Sequence, residues 1–134
     1  MWFGSRTNLK TMATQNVSLC MDSSTIQHVD AVCDLGVTFD SELTMPRHVN
    51  TVTRACFHHI RCLKQIRRLL GKDVAGGLVS AFILSRLDYC NAVLEGLPKS
   101  TIAPLQRVQN TAARLVARLG PRSSTIRDLH WLPV

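Results

Sequence analysis

Two thiols and two imidazoles fall within seven residues, in Cys56-Phe57-His58-His59-Ile60-Arg61-Cys62. This is the densest set of soft metal ligands in the chain. Tetrahedral zinc needs four convergent donors. On a helix, Cys56, His59 and one of Cys62 or Leu63 share a side, while His58 points elsewhere. Cys56 also falls among apolar positions. The pattern therefore reads as a buried cysteine and an interfacial histidine, with no metal centre.

The acids number nine: Asp22, Asp30, Asp34, Asp40, Glu42, Asp73, Asp88, Glu95 and Asp128. Two-metal phosphoryl transfer needs at least two convergent carboxylates, and no pair here has such a context. Arg86-Leu87-Asp88 reads as a local ion pair or an interhelical hydrogen bond. There is no phosphate-binding glycine loop, no GxSxG elbow and no arguable nucleophile–base pair. Trp2 and Trp131 read as packing anchors. The residues alone show no catalytic residue and no cofactor site.

The cations are better organised. Residues 43–72 contain no acid but hold Arg47, Arg54, Arg61, Lys64, Arg67, Arg68 and Lys72. Arg47, Arg54, Arg61 and Arg68 are spaced seven apart. A seven-residue step on a helix drifts by only about 20°. The four are expected to form one stripe opposite the apolar side, about 30 Å long, with Lys72 extending it. Like charges on one helix face repel each other. A phosphate backbone would relieve that repulsion, through sequence-independent, salt-sensitive contacts. A solvated face, or pairing with acids elsewhere, is the plainer alternative.

The elements that must position these residues fall into two parts. Residues 1–45 read as strand-rich. Asn16–Met21 alternates, with Val17, Leu19 and Met21 on one face. Val29–Phe39 reads as a β-like run with Gly36 at a tight spot, followed by a turn at Asp40-Ser41-Glu42. Residues 46–134 read as helical. The first helix starts at Pro46, with Thr44 as its cap, and has core positions Val49, Val52, Cys56, Ile60, Leu63, Ile66 and Leu70. A second, apolar on nearly all sides, spans about Asp73–Leu94. A third spans about Thr101–Leu119, with the stripe Ile102, Leu105, Val108, Ala112, Leu115, Val116 and Leu119. Ser124 or Thr125 caps a last short turn near Asp128. The expected fold class is α+β: short N-terminal β strands, then a bundle of three long helices and a short terminal one.

The chain has 134 residues, 46% of them hydrophobic, and a net charge of +7. That is the size of one domain, or of a piece of a larger one. Its charge favours anionic partners. The five cysteines, Cys20, Cys33, Cys56, Cys62 and Cys90, lack CxxC spacing, and no secretory leader is evident. They read as reduced, mostly buried thiols of an intracellular protein, nuclear or cytoplasmic. No run is long enough for a membrane span.

Several segments resemble the last third of the reverse transcriptase of non-LTR (LINE-type) retrotransposons of the jockey kind. They are Trp2-Phe3-Gly4-Ser5-Arg6, Asp34-Leu35-Gly36-Val37-Thr38-Phe39-Asp40, His48-Val49, and Leu63-Lys64-Gln65-Ile66-Arg67-Arg68. Ser85-Arg86-Leu87-Asp88-Tyr89-Cys90-Asn91, Gly96-Leu97-Pro98, Leu105-Gln106-Arg107-Val108-Gln109-Asn110-Thr111-Ala112-Ala113-Arg114-Leu115 and Leu129-His130-Trp131-Leu132-Pro133-Val134 complete the series. Their order and spacing follow the family over essentially the whole chain. The segments at residues 85–91, 105–115 and 129–134 are together very specific.

The resemblance implies an RNA-directed DNA polymerase that needs Mg2+ held by palm aspartates. It implies that residues 1–45 are the strand-rich end of the palm and 46–134 a thumb-like region. Leu35, Gly36 and Val37 are then primer-grip-like. Arg47, Arg54, Arg61, Lys64, Arg68 and Lys72 then face the template–primer, an RNA or RNA–DNA duplex, beside the rest of the enzyme. The family's (F/Y)-x-D-D motif is not among these residues. The expectation is a fragment that is inactive alone, binds no cofactor itself and can at most hold nucleic acid. The alternatives are a repurposed non-catalytic nucleic-acid-binding or interaction module, and a non-functional transposon remnant.

Overall fold

The structure is a computed structural model that describes residues 1–14, 18–21, 24–27, 29–89 and 91–117. The expected terminal turn near Asp128, and Asn16, Val17, Cys90, Leu119 and Trp131, lie outside the described residues. The fold is α+β: short antiparallel strands precede a mostly helical region. The chain divides into two compact units, Met1–His48 and Val49–Val134.

The first unit opens with α1 (Arg6–Ala13), a helix that the strand-rich reading of residues 1–45 omits. Ser5 caps it, its hydroxyl accepting from the Asn8 N–H at 3.4 Å, which satisfies one of the free donors of the first turn. Arg6 forks onto Glu42, Nε to Oε1 at 3.0 Å and the second nitrogen to Oε2 at 3.1 Å. Arg6 is largely exposed, so the pair fixes direction more than it stabilises.

Two hairpins follow. β1 (Leu19–Met21) pairs antiparallel with β2 (Ser24–Ile26), and β3 (Ala31–Asp34) with β4 (Val37–Asp40), as separate two-stranded sheets. The run Val29–Phe39 is therefore not one strand. It folds back at Leu35-Gly36, with Val32 opposite Phe39 and Asp34 opposite Val37. Leu35 has φ 47° and Gly36 φ 81°. Two successive left-handed residues make the mirror-image turn whose twist suits a tight hairpin. Gly36 adopts that conformation freely, and a residue with a Cβ does not. Gly36→Ala is expected to cost about 1–2 kcal/mol, measured by urea unfolding, and Gly36→Asn less.

Asp40 organises the entry into α2 (Pro46–Ile66). Its Oδ1 accepts from the Met45 N–H at 2.7 Å, and its Oδ2 from the Thr44 hydroxyl at 2.6 Å and the Thr44 N–H at 3.1 Å. Thr44 is thus held by Asp40 rather than acting as the expected cap. The bonds hold a loop in which Leu43 (φ 54°) and the buried Met45 (φ 61°) are both left-handed. Burial pushes the Asp40 carboxyl up, but these hydrogen bonds outweigh it and the group titrates below its ordinary value. A depressed carboxyl contributes stability that is present above its unfolded pKa and is lost as pH falls through its folded pKa. Wild-type chain should therefore lose stability on acidification below about pH 4. Asp40→Asn should be less stable at neutral pH and show a flatter profile there, as read by thermal melts across pH. His48, buried in the same unit, accepts from the Thr38 N–H through Nδ1 at 3.4 Å. Burial alone lowers its pKa.

In the second unit, α2 buries Val49, Cys56, Ile60 and Leu63, with Val52 half-buried. The expected core position Ile66 is 44% exposed, and Arg67 takes its place at 8%. From Cys56, Arg67 is displaced by only about 20° around the helix, whereas Ile66 is about 80° off. The arginine is on the buried line and the isoleucine is not.

The expected second helix is broken. α3 (Lys72–Val79) runs into a π turn (Ser80–Leu84) and then α4 (Ser85–Asp88). Tyr89 is extended, and α5 (Asn91–Leu94) follows. It is also not covered on all sides: Val74, Phe82, Tyr89 and Val93 are exposed. The buried line is Ala75, Val79, Ile83 and Leu87. A strict four-residue step drifts by about 40° on an α-helix. The π turn, bonded i to i+5, takes up more residues per turn. It lets these four stay on one side.

α6 (Lys99–Ala117) buries Leu105, Val108, Gln109, Ala112, Ala113, Leu115 and Val116, and packs against α3. Ile102 is half-buried.

Candidate nucleic-acid interface

Pro46 starts α2 where its missing N–H costs nothing, and one continuous helix then carries the cations. Arg54, Arg61 and Lys64 are exposed on it. Arg54 and Arg61 lie two turns apart, about 10.5 Å along the axis. Arg47 is exposed in the first turn, within the first unit, and already engages a partner. The stripe does not continue as one helical line to Lys72. α2 ends at Ile66, Arg68 lies in the following turn, and Lys72 opens α3. Arg68 and Lys72 are both exposed. Among the described residues, no acid forms an ion pair with Arg54, Arg61, Lys64, Arg68 or Lys72. Among the described residues the face thus carries like charges without an acidic partner, the arrangement that favours anions in a salt-dependent way.

Arg67 belongs to the same basic run but does a different job. Its Nε donates to the Leu115 carbonyl at 2.7 Å, one terminal nitrogen to Val116 at 2.8 Å, and the other to Leu70 at 2.8 Å. Leu115 and Val116 are in the last turn of α6, where carbonyls have no helical donors ahead of them. A cation there also meets the negative end of the helix dipole. Arg67 therefore ties the end of α2 to the end of α6. The sequence reading placed Ile66, not Arg67, in the core, because the partners that bury Arg67 lie 48 and 49 residues away.

Arg86 and Asp88 are both exposed and form no ion pair with each other. Arg86 instead lies close enough to Cys56 and His59 to affect both. Burial raises the Cys56 thiol's pKa, with Arg86 opposing it. Burial, then Arg86, then His58 lower that of His59. His59 stacks on Phe82 of the π turn, centroids 5.6 Å apart and planes at 20°. His58 meets Cys62, Nε2 to Sγ at 3.8 Å. Cys56 and His59 are both within reach of Arg86, as residues on one side of the helix would be, whereas His58 contacts Cys62. Nor are the thiols mostly buried: Cys56 is, whereas Cys20, Cys33 and Cys62 are exposed.

The primer-grip-like residues sit on the β3–β4 hairpin. Leu35 is 82% exposed at its tip, Gly36 turns the chain, and Val37 is buried at 2%. For the Mg2+ that the resemblance implies, no donor set fits: among the described residues no three His, Cys, Asp or Glu side chains converge. No helix there is long and apolar enough to cross a membrane.

No family model matches the chain, and no curated protein or solved structure resembles it significantly.

Proposed function

We propose that this chain is a nucleic-acid-holding portion of a non-LTR retrotransposon reverse transcriptase, which binds the template–primer through the cationic face of α2. The observation that carries the reading is the row of exposed, acid-free cations Arg54, Arg61 and Lys64, with Arg68 and Lys72 just beyond the helix. The resemblance of the sequence over its whole length supplies the partner, an RNA–DNA duplex. The 134 residues contain no Asp-Asp pair, so polymerisation belongs to palm aspartates outside them. Leu35, projecting from the β3–β4 turn, suits the primer-gripping role on the same reading.

The test is fluorescence anisotropy of a labelled RNA–DNA hybrid titrated with the chain at several salt concentrations. Binding that weakens linearly on a log–log salt plot is expected. Absence of binding at low salt, or binding insensitive to salt, would overturn the proposal.

A further inference from the structure

We propose that His58 and Cys62 form a two-ligand site for a soft divalent metal ion such as Zn2+ on the exposed surface of α2. The two residues are four apart, the spacing that puts paired ligands on one helix face in known zinc motifs. Both are exposed. Their donor atoms already face each other: His58 Nε2 lies 3.8 Å from Cys62 Sγ.

That separation suits a shared ion. A Zn–N bond of about 2.0–2.1 Å and a Zn–S bond of about 2.3 Å, at a tetrahedral angle, place nitrogen and sulfur about 3.6 Å apart. The ion takes the place of the thiol proton between the two atoms, and the side chains shift by a few tenths of an ångström. On binding, the S–H bond breaks and its proton leaves to solvent. Zn–S and Zn–N bonds form, and nothing is oxidised or reduced.

The neighbouring groups define the site further. His59 is stacked on Phe82 and Cys56 is fully buried, so neither completes the set. The remaining positions are open to water or an external ligand, as in zinc sites that are not purely structural. The sulfur and imidazole donors select zinc-like ions over Mg2+ and Ca2+. Arg54 and Arg61 flank His58 on the helix and repel a cation. Salt screens that repulsion, so metal affinity should rise with ionic strength, opposite to the trend for nucleic acid.

The experiment is a Co2+ titration of the full, reduced chain, in a Cys20→Ser/Cys33→Ser background that removes the other exposed thiols among the described residues. A near-ultraviolet sulfur-to-cobalt band saturating at one ion per chain is expected. Removing even an outer-shell partner typically weakens metal binding 10–100-fold, so loss of a direct ligand should cost about 100-fold or more. His58→Ala and Cys62→Ser should each do so. The swapped pair His58→Cys/Cys62→His keeps the spacing and should retain the band, which separates ligation from damage to the helix. No band in the parent chain, a band that survives either single substitution, or loss in the swapped pair would overturn the proposal.

Discussion

Arg67→Met is expected to destabilise the chain by about 3–5 kcal/mol. Methionine keeps much of the apolar stem but removes every donor. The Leu115, Val116 and Leu70 carbonyls that accept from Arg67 at 2.7–2.8 Å are then left without it. An unsatisfied buried acceptor costs about 1–3 kcal/mol. Part of this is offset, because the variant no longer buries a guanidinium, itself expensive to desolvate. A chain of 134 residues has a total stability of only roughly 7–20 kcal/mol, so the loss is a large share. Arg67→Lys is the informative companion. It keeps the charge, but a single ammonium cannot span three carbonyls as a planar fork does. It should recover less than half of the loss. The check is urea denaturation: the midpoint should fall with the slope unchanged. A shift under 1 kcal/mol for Arg67→Met would mean that water substitutes for the side chain there.

The second large effect concerns binding. If Arg54, Arg61, Lys64, Arg68 and Lys72 each neutralise one phosphate, the log–log salt slope is about −4.5. Affinity then falls roughly 500-fold between 50 and 200 mM salt. Replacing Arg54, Arg61, Lys64 and Arg68 by Ala removes about 3.6 from that slope, leaving about −0.9. These four are exposed and form no ion pair among the described residues, so folding should be barely affected. Changing the three arginines to lysine preserves charge, and the slope should stay near its wild-type value. An alanine variant with an unchanged slope would move the binding face away from α2. The single substitution Arg67→Lys, by contrast, should alter stability without altering the slope.

The sequence by itself determined the local features of this protein. Proline, glycine and periodicity act over a few residues, so the start of α2 at Pro46, the turn after Asp40 and the Leu105, Val108, Ala112, Leu115 and Val116 line of α6 were legible, whereas buried Gln109 and Ala113 were not. So was the acid-free run of cations, because charge needs no fold to be counted. α1 carries little periodic signal, because few apolar residues mark that stretch, and its one local cue is Ser5, whose hydroxyl caps Asn8. The β-like run Val29–Phe39 marks Gly36 as a tight spot but not the chain reversal there, since a glycine in such a run equally suits a close approach.

Tertiary structure decided what depends on partners distant in the chain. Only α6 explains why Arg67 is buried in the line that Ile66 was expected to fill: the stripe angle permits either a hydrophobe or a cation, and unpaired carbonyls at a helix end select the cation. Only the set of buried positions Ala75, Val79, Ile83 and Leu87 explains the π turn, because their drift has to be absorbed by the backbone. Composition indicated that the surface is cationic. Packing determined which cations remain on it, since a charge is solvated unless enough fixed acceptors converge on it, as the Leu115, Val116 and Leu70 carbonyls do on Arg67.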